Sequence, residues 1–109
     1  MKINLPAIIQ KYVDVSNLHN VPSILSCFSK DAVVQDEAET LRGKTAIEGW
    51  IRKTIEKYKF QFKPVAIKKS EGNSLVVEIE VSGTFDGSPV TLEYDFVIES
   101  DKIRSLTIE

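Results

Sequence analysis

AVVQDEAETLRGKTAIEGW, residues 32 to 50, joins a short apolar strand to an amphipathic helix through a polar loop. Asp36 stands where a strand would take another Val. Alternation puts it on the same side as Ala32 and Val34, while Val33, Gln35 and Glu37 face the other way. The carboxylate therefore points with the apolar side of its strand. Beyond Arg42-Gly43, the positions Ala46, Ile47, Trp50, Ile51, Ile55 and Tyr58 recur at helical spacing, which predicts a helix from Thr45 to Tyr58.

Towards the N-terminus, Leu5, Ile8, Ile9, Tyr12 and Val15 mark the buried stripe of a first helix, with Asn4 as its N-cap and Pro6 near its first turn. Asn20 before Val21-Pro22 repeats that start signal. Ile24, Leu25 and Phe28 then give a shorter second helix, and the two form a hairpin. Towards the C-terminus the period changes to two from Phe60, with Pro64 predicting a bend or bulge in a long strand. Leu75, Val77, Ile79 and Val81 share one face of the next strand; Val90 to Glu99 and Lys102 to Ile108 complete a four-stranded meander. Helices followed by a meander predict an α+β fold with the helices on one face of a curved sheet.

The 109 residues are 42% hydrophobic, enough for one core and too few for two, so a single domain over 1–109 is expected. Fourteen basic against sixteen acidic side chains give a net charge of -2, with the signs interspersed. That excludes the basic footprint of nucleic-acid or anionic-membrane binding. With one cysteine, Cys27, and one histidine, His19, no internal disulfide forms and no metal site can be assembled without carboxylates. No metal or cofactor is expected. The N-terminal MKINLPAIIQKY loses its apolar character too soon for a secretory core, and no segment approaches the roughly 20 apolar residues of a spanning helix. A soluble, cytoplasmic protein is the expectation. His19 reads as a polar residue of the helix connection, and Cys27 as a small hydrophobe beneath the second helix.

KYVDVSNLHNVPSILSCFSKDAVVQDE, residues 11 to 37, followed by LRGKTAIEGWI, resembles the SnoaL-like and ketosteroid-isomerase-like branch of the nuclear-transport-factor-2-like (NTF2-like) superfamily. The shared pattern is a tyrosine in the first helix, Phe28 before Asp31-Ala32, an aspartate on the first strand, Arg-Gly, Ala-Ile and an aromatic. The likeness extends along essentially the whole chain. It implies a cone-shaped barrel: three N-terminal helices on a strongly curved, mostly antiparallel sheet, around an apolar pocket for a small apolar or carbonyl-bearing molecule. Two-fold dimers built sheet to sheet are common in the superfamily, and Val76, Val97 and Ile103 supply apolar surface for one here.

In the ketosteroid isomerases a first-strand carboxylate moves a proton beside a ketone, while a tyrosine and a protonated aspartic acid hydrogen-bond the enolate oxygen. The resemblance puts Asp36, Tyr12 and Asp95 in those catalytic roles. An inward carboxylate would lose hydration and hold its proton more readily, as suits a base near neutral pH. Asp95 competes with its neighbour. Leu92, Tyr94, Phe96 and Ile98 share the apolar face, so a slip of one residue decides whether Asp95 or Tyr94 lines the pocket. Phe28, Trp50, Tyr94 and Arg42 are the candidate ligand-binding residues.

Glu37 replaces a common proline of the isomerases. The sequence ends at Glu109 without their apolar C-terminal segment, which implies a smaller or more open cavity. Three functions follow: a ligand-binding protein with isomerase-type proton transfer, a non-catalytic ligand-binding or interaction module, and an epoxide-hydrolase-like enzyme in which Arg42 and Asp36 hold a water. Structural roles stand beside each. Tyr12 suits a core edge, Asp36 an ion pair with Arg42, and Asp95 a solvated strand.

Overall fold

The computed structural model describes residues 4 to 36 and 38 to 109; the N-terminal Met1 to Ile3 and Glu37 lie outside the described residues, and with them part of the leader reading and the Glu37 departure. Helix α1, Ala7–Asn17, starts after Pro6, whose φ of -53° and ψ of 148° are extended; the expected cap at Asn4 falls too early. Its buried residues Ile9, Tyr12, Val13 and Ser16 repeat at helical spacing. Asn17 then ties the helix end to the strand below it. Its Nδ2 donates to the Phe62 carbonyl at 3.0 Å and its Oδ1 accepts from the Phe62 N–H at 2.6 Å. His19 does structural work too, with Nε2 2.7 Å from the Phe60 carbonyl and its ring edge-on to Phe60.

Helix α2, Val21–Ser26, is capped by Asn20, whose side chain accepts from the Ser23 N–H at 3.2 Å. It is shorter than expected. Phe28 opens strand β1, Phe28–Asp36, because a large apolar residue meets the same core from either geometry and the pairing with Ile103 of the last strand selects the extended one. The polar segment after Asp36 also differs from a loop: Glu39–Arg42 forms β2, an edge strand paired antiparallel with β1 from Asp36↔Glu39 to Val33↔Arg42. Backbone pairing at an edge needs no apolar alternation, so the sequence pattern is silent there. Gly43, at φ 83°, then turns the chain into α3, Gly43–Tyr58. This helix ends at Lys59 in the left-handed region, with the Lys59 N–H donating to the Ile55 carbonyl.

Strands β3 (Gln61–Glu71), β4 (Ser74–Ser82), β5 (Val90–Glu99) and β6 (Lys102–Ile108) form the expected meander, in a six-stranded sheet of order β2-β1-β6-β5-β4-β3. Among the described residues only the β1–β6 pair is parallel. The register of β3 against β4 shifts between Pro64 and Ala66 and again between Ile67 and Lys69, so the strand bulges beside its proline. The helices pack on one face of the sheet, giving the NTF2-like α+β cone. Phe28, Phe96, Ile9, Ile47, Ile79, Ile103 and Leu106 are fully enclosed between the layers. Ile103 therefore belongs to the core and offers nothing to the outer face, where Val76 and Val97 remain half-buried.

Candidate functional site

A cavity of about 530 Å³ opens between the helices and the concave face of the sheet. Tyr12 and Ser16 of α1, Ile24 of α2, and Trp50, Ile51 and Thr54 of α3 form its helical wall. Phe60, just before β3, and Phe62 within it, with Val81, Leu92, Tyr94 and Ile108, form the sheet wall. Lys57, Tyr58, Phe85, Asp86 and Val90 make the rim. The β4–β5 connection reaches that rim because it is fastened to the end of α3: Thr84 donates its N–H to the Tyr58 carbonyl at 2.8 Å, and Phe85 packs edge-on against Tyr58. Gly83 is required for this approach, since a Cβ there would collide with the Tyr58 carbonyl oxygen.

Asp36 lines the cavity. Its strand ends at the cavity wall, and Trp50, two turns into α3, donates its indole Nε1–H to Asp36 Oδ2 at 3.0 Å. The carboxylate is thus oriented by a donor that carries no charge. Two phenols share the same space. Tyr12 and Tyr94 both pack against Phe62 and Phe96, with ring centroids 5.5 to 6.2 Å apart. Burial pushes the Tyr12 hydroxyl above the usual phenol range, helped by repulsion from Cys27 and Asp36 and opposed by the Ser16 hydroxyl. Tyr94 is raised in the same way, first by burial, then by Tyr12 and Asp36. Both remain neutral hydrogen-bond donors at physiological pH. Ser16 is buried and its Oγ has no hydrogen-bond partner among the described residues; it faces Tyr12 closely enough to be felt, short of a formed bond.

Several expected site residues lie elsewhere. Asp95 is exposed: it pairs with Val76 and Thr107, and the register gives the inward position to Tyr94. Arg42 is exposed at the start of α3, opposite Val33 and three ladder steps from Asp36, so the two do not meet across a water in the cavity. Phe28 is behind the wall, edge-on to Tyr12 at 5.8 Å, and supports the phenol without lining the cavity. Trp50 and Tyr94 do line it. Ser16, Tyr58, Phe60, Phe62 and Phe85 were missed as a set. Ser16 follows Tyr12 by one helical turn, and Phe60-Gln61-Phe62 alternates, so both signals were present in the sequence. Among the described residues no three His, Cys, Asp or Glu side chains gather as metal ligands, and no helix is long and apolar enough to cross a membrane.

Three helices packed on a six-stranded, mostly antiparallel sheet are the NTF2-like α+β cone fold. The SnoaL-like domain family matches residues 9–104, and the chain belongs to that family. A proposed polyketide cyclase from Sinorhizobium meliloti is 33% identical, with a TM-score of 0.91 over 96% of this chain and 95% of that one. The epoxide hydrolase/cyclase-like enzyme SalBIII, of pyran-ring formation in salinomycin, shares the fold at 17% identity and a TM-score of 0.82, over 93% and 85% of the two chains. So does a protein of ketosteroid-isomerase-like fold from Catenulispora acidiphila, solved in complex with trimethylamine: 18% identity, TM-score 0.81, coverage 97% and 86%. No protein of curated function matches the chain.

Proposed function

We propose that the protein binds a small, largely apolar carbonyl compound in this cavity and transfers a proton beside the carbonyl. The observation that carries the reading is the Asp36 carboxylate, oriented by Trp50 and sharing one cavity with the neutral hydroxyls of Tyr12 and Tyr94. Asp36 takes a proton from the carbon next to the carbonyl. The C–H electron pair becomes a C=C bond, the carbonyl π pair moves to oxygen, and the enolate oxygen accepts hydrogen bonds from the two phenols. Asp36 then returns the proton to the same carbon or, in an unsaturated substrate, to the far end of the dienolate. Phenol donors held in place by packing stabilise charge that develops on oxygen without needing to reorganise. The aromatic wall of Phe60, Phe62 and Phe85 supplies the apolar grip.

A β,γ-unsaturated cyclic ketone is the test substrate, because its conjugated isomer absorbs in the ultraviolet. Wild-type protein should produce that absorbance, and Asp36→Asn should lower the rate by about 10²- to 10⁴-fold. Equal rates for the two proteins would refute the assignment.

Binding without turnover is the second reading. It is favoured by the trimethylamine complex of the Catenulispora acidiphila protein, since aromatic faces beside a carboxylate suit alkylammonium groups. Calorimetric binding of trimethylammonium, lost in Asp36→Asn and unaccompanied by ketone turnover, would favour it. For assembly we propose a homodimer through the outer sheet face around Val76 and Val97. We further propose a cytoplasmic setting, in which the buried Cys27 thiol stays reduced.

A further inference from the structure

We propose that Ser16 is a positioning residue of the cavity, closing a hydrogen-bond chain in which Ser16 Oγ–H donates to Tyr12 Oη while Tyr12 Oη–H donates to an oxygen of the bound ligand. The inference rests on the reading of Tyr12 as a donor to ligand oxygen and goes beyond it.

Ser16 is buried in the core, 1% exposed, and lies on the cavity wall. Its Oγ has no hydrogen-bond partner among the described residues. A buried hydroxyl without a partner opposes folding, and alanine is the better helix former at an interior position. Folding alone therefore gives no reason for serine here. Position supplies one. Ser16 follows Tyr12 by one turn on the same buried face of α1, so the two side chains are helical neighbours. A phenol both donates and accepts, and its oxygen becomes a better acceptor once its own proton is engaged by a ligand oxygen. A hydroxyl rotor beside it then needs only to turn. Asn17 fixes the end of α1 to β3 through two hydrogen bonds to Phe62, which keeps Ser16 and Tyr12 in register with the aromatic wall.

The test uses the whole protein and 4-nitrophenol as probe; its phenolate oxygen imitates an enolate oxygen and its bound form is read by visible absorbance. Ser16→Ala should weaken binding about fivefold to tenfold, the scale of one neutral hydrogen bond. Its thermal midpoint should stay the same or rise, because a costly unpaired hydroxyl is gone. Ser16→Cys retains most of the volume with a weak donor and should also bind less tightly, which separates hydrogen bonding from packing. In a Tyr12→Phe background, Ser16→Ala should have no further effect. Wild-type affinity in both Ser16 variants, or an undiminished loss in the Tyr12→Phe background, would overturn the chain while leaving Tyr12 in place. No binding by wild type, or equal binding by wild type and Tyr12→Phe, would instead overturn the carbonyl-site reading and the chain with it.

Discussion

The Trp50–Asp36 hydrogen bond is one contact that orients the carboxylate, and its strength is measurable. Trp50→Phe removes the indole N–H and leaves most of an aromatic ring; Asp36→Val removes the acceptor. A hydrogen bond to a charged group contributes about 1.5 to 3 kcal/mol. Asp36 is half-buried, so solvent screens part of this, and about 1 to 2 kcal/mol is the reasoned value. Each single variant also changes packing, and Asp36 has contacts besides Trp50. Those contributions cancel in a double-mutant cycle. Urea melts of wild type, the two single variants and the double variant should therefore show a coupling energy of about 1 to 2 kcal/mol, because the second substitution costs less once the first is made. Additivity within about 0.3 to 0.5 kcal/mol, the scatter expected of independent sites, would refute the orienting role of Trp50.

Three further outcomes are expected. Tyr12 and Tyr94 hold their protons more tightly in the folded state than in the unfolded chain, where a phenol ionises near pH 10. Above that pH the folded state binds more protons, so stability is complete below about pH 9 and falls as pH rises beyond 10, by at most about 1.4 kcal/mol per pH unit for each tyrosine; denaturant midpoints from pH 8 to 11 should show a shallower fall in Tyr12→Phe, and an unchanged slope would contradict the burial of its hydroxyl. Asp95→Asn and Arg42→Ala, both at exposed positions, should shift stability by no more than about 0.5 kcal/mol and leave ketone turnover intact; a large loss of turnover in either would return that residue to the site. Light scattering at micromolar concentration should give about twice the 12.2 kDa chain mass, and a charged substitution at Val76 should halve it; a wild-type monomer at every concentration would exclude the dimer.

Much of this architecture is legible in the sequence, for physical reasons that also explain where the sequence misleads. Periodicity located α1, α3 and the meander because burial on one face imposes it, and Pro64 announced its bulge because a proline cannot complete a ladder. The strand β2 carries no such imprint: an exposed edge is held by backbone pairing, which any polar sequence provides. Phe28 was assigned to a helix because its hydrophobicity fits a core in either conformation, and long-range pairing with Ile103 made the choice. For the site, the inward facing of Asp36 followed from strand alternation and that of Tyr12 from helical spacing. Asp95 was selected by family resemblance against the alternation of its own strand, and the alternation prevailed. Arg42 was paired with Asp36 by chemistry alone; their separation along a hairpin that was read as a loop is what keeps them apart. Ser16 went unnoticed because serine on a helix has several ordinary roles, and only burial without a partner distinguishes it.

If Asp36 moves a proton beside a carbonyl held by Tyr12 and Tyr94, exchange of that proton with solvent reports the step irrespective of where any double bond ends. A saturated cyclic ketone small enough for the 530 Å³ cavity is incubated with the protein in D₂O, and loss of the α-proton signal is followed by NMR. Exchange should be faster than in buffer, abolished in Asp36→Asn, slowed in both Tyr12→Phe and Tyr94→Phe, and unaffected in Asp95→Asn. Exchange that survives in Asp36→Asn, or its absence from wild type across ketones that demonstrably bind, would contradict it.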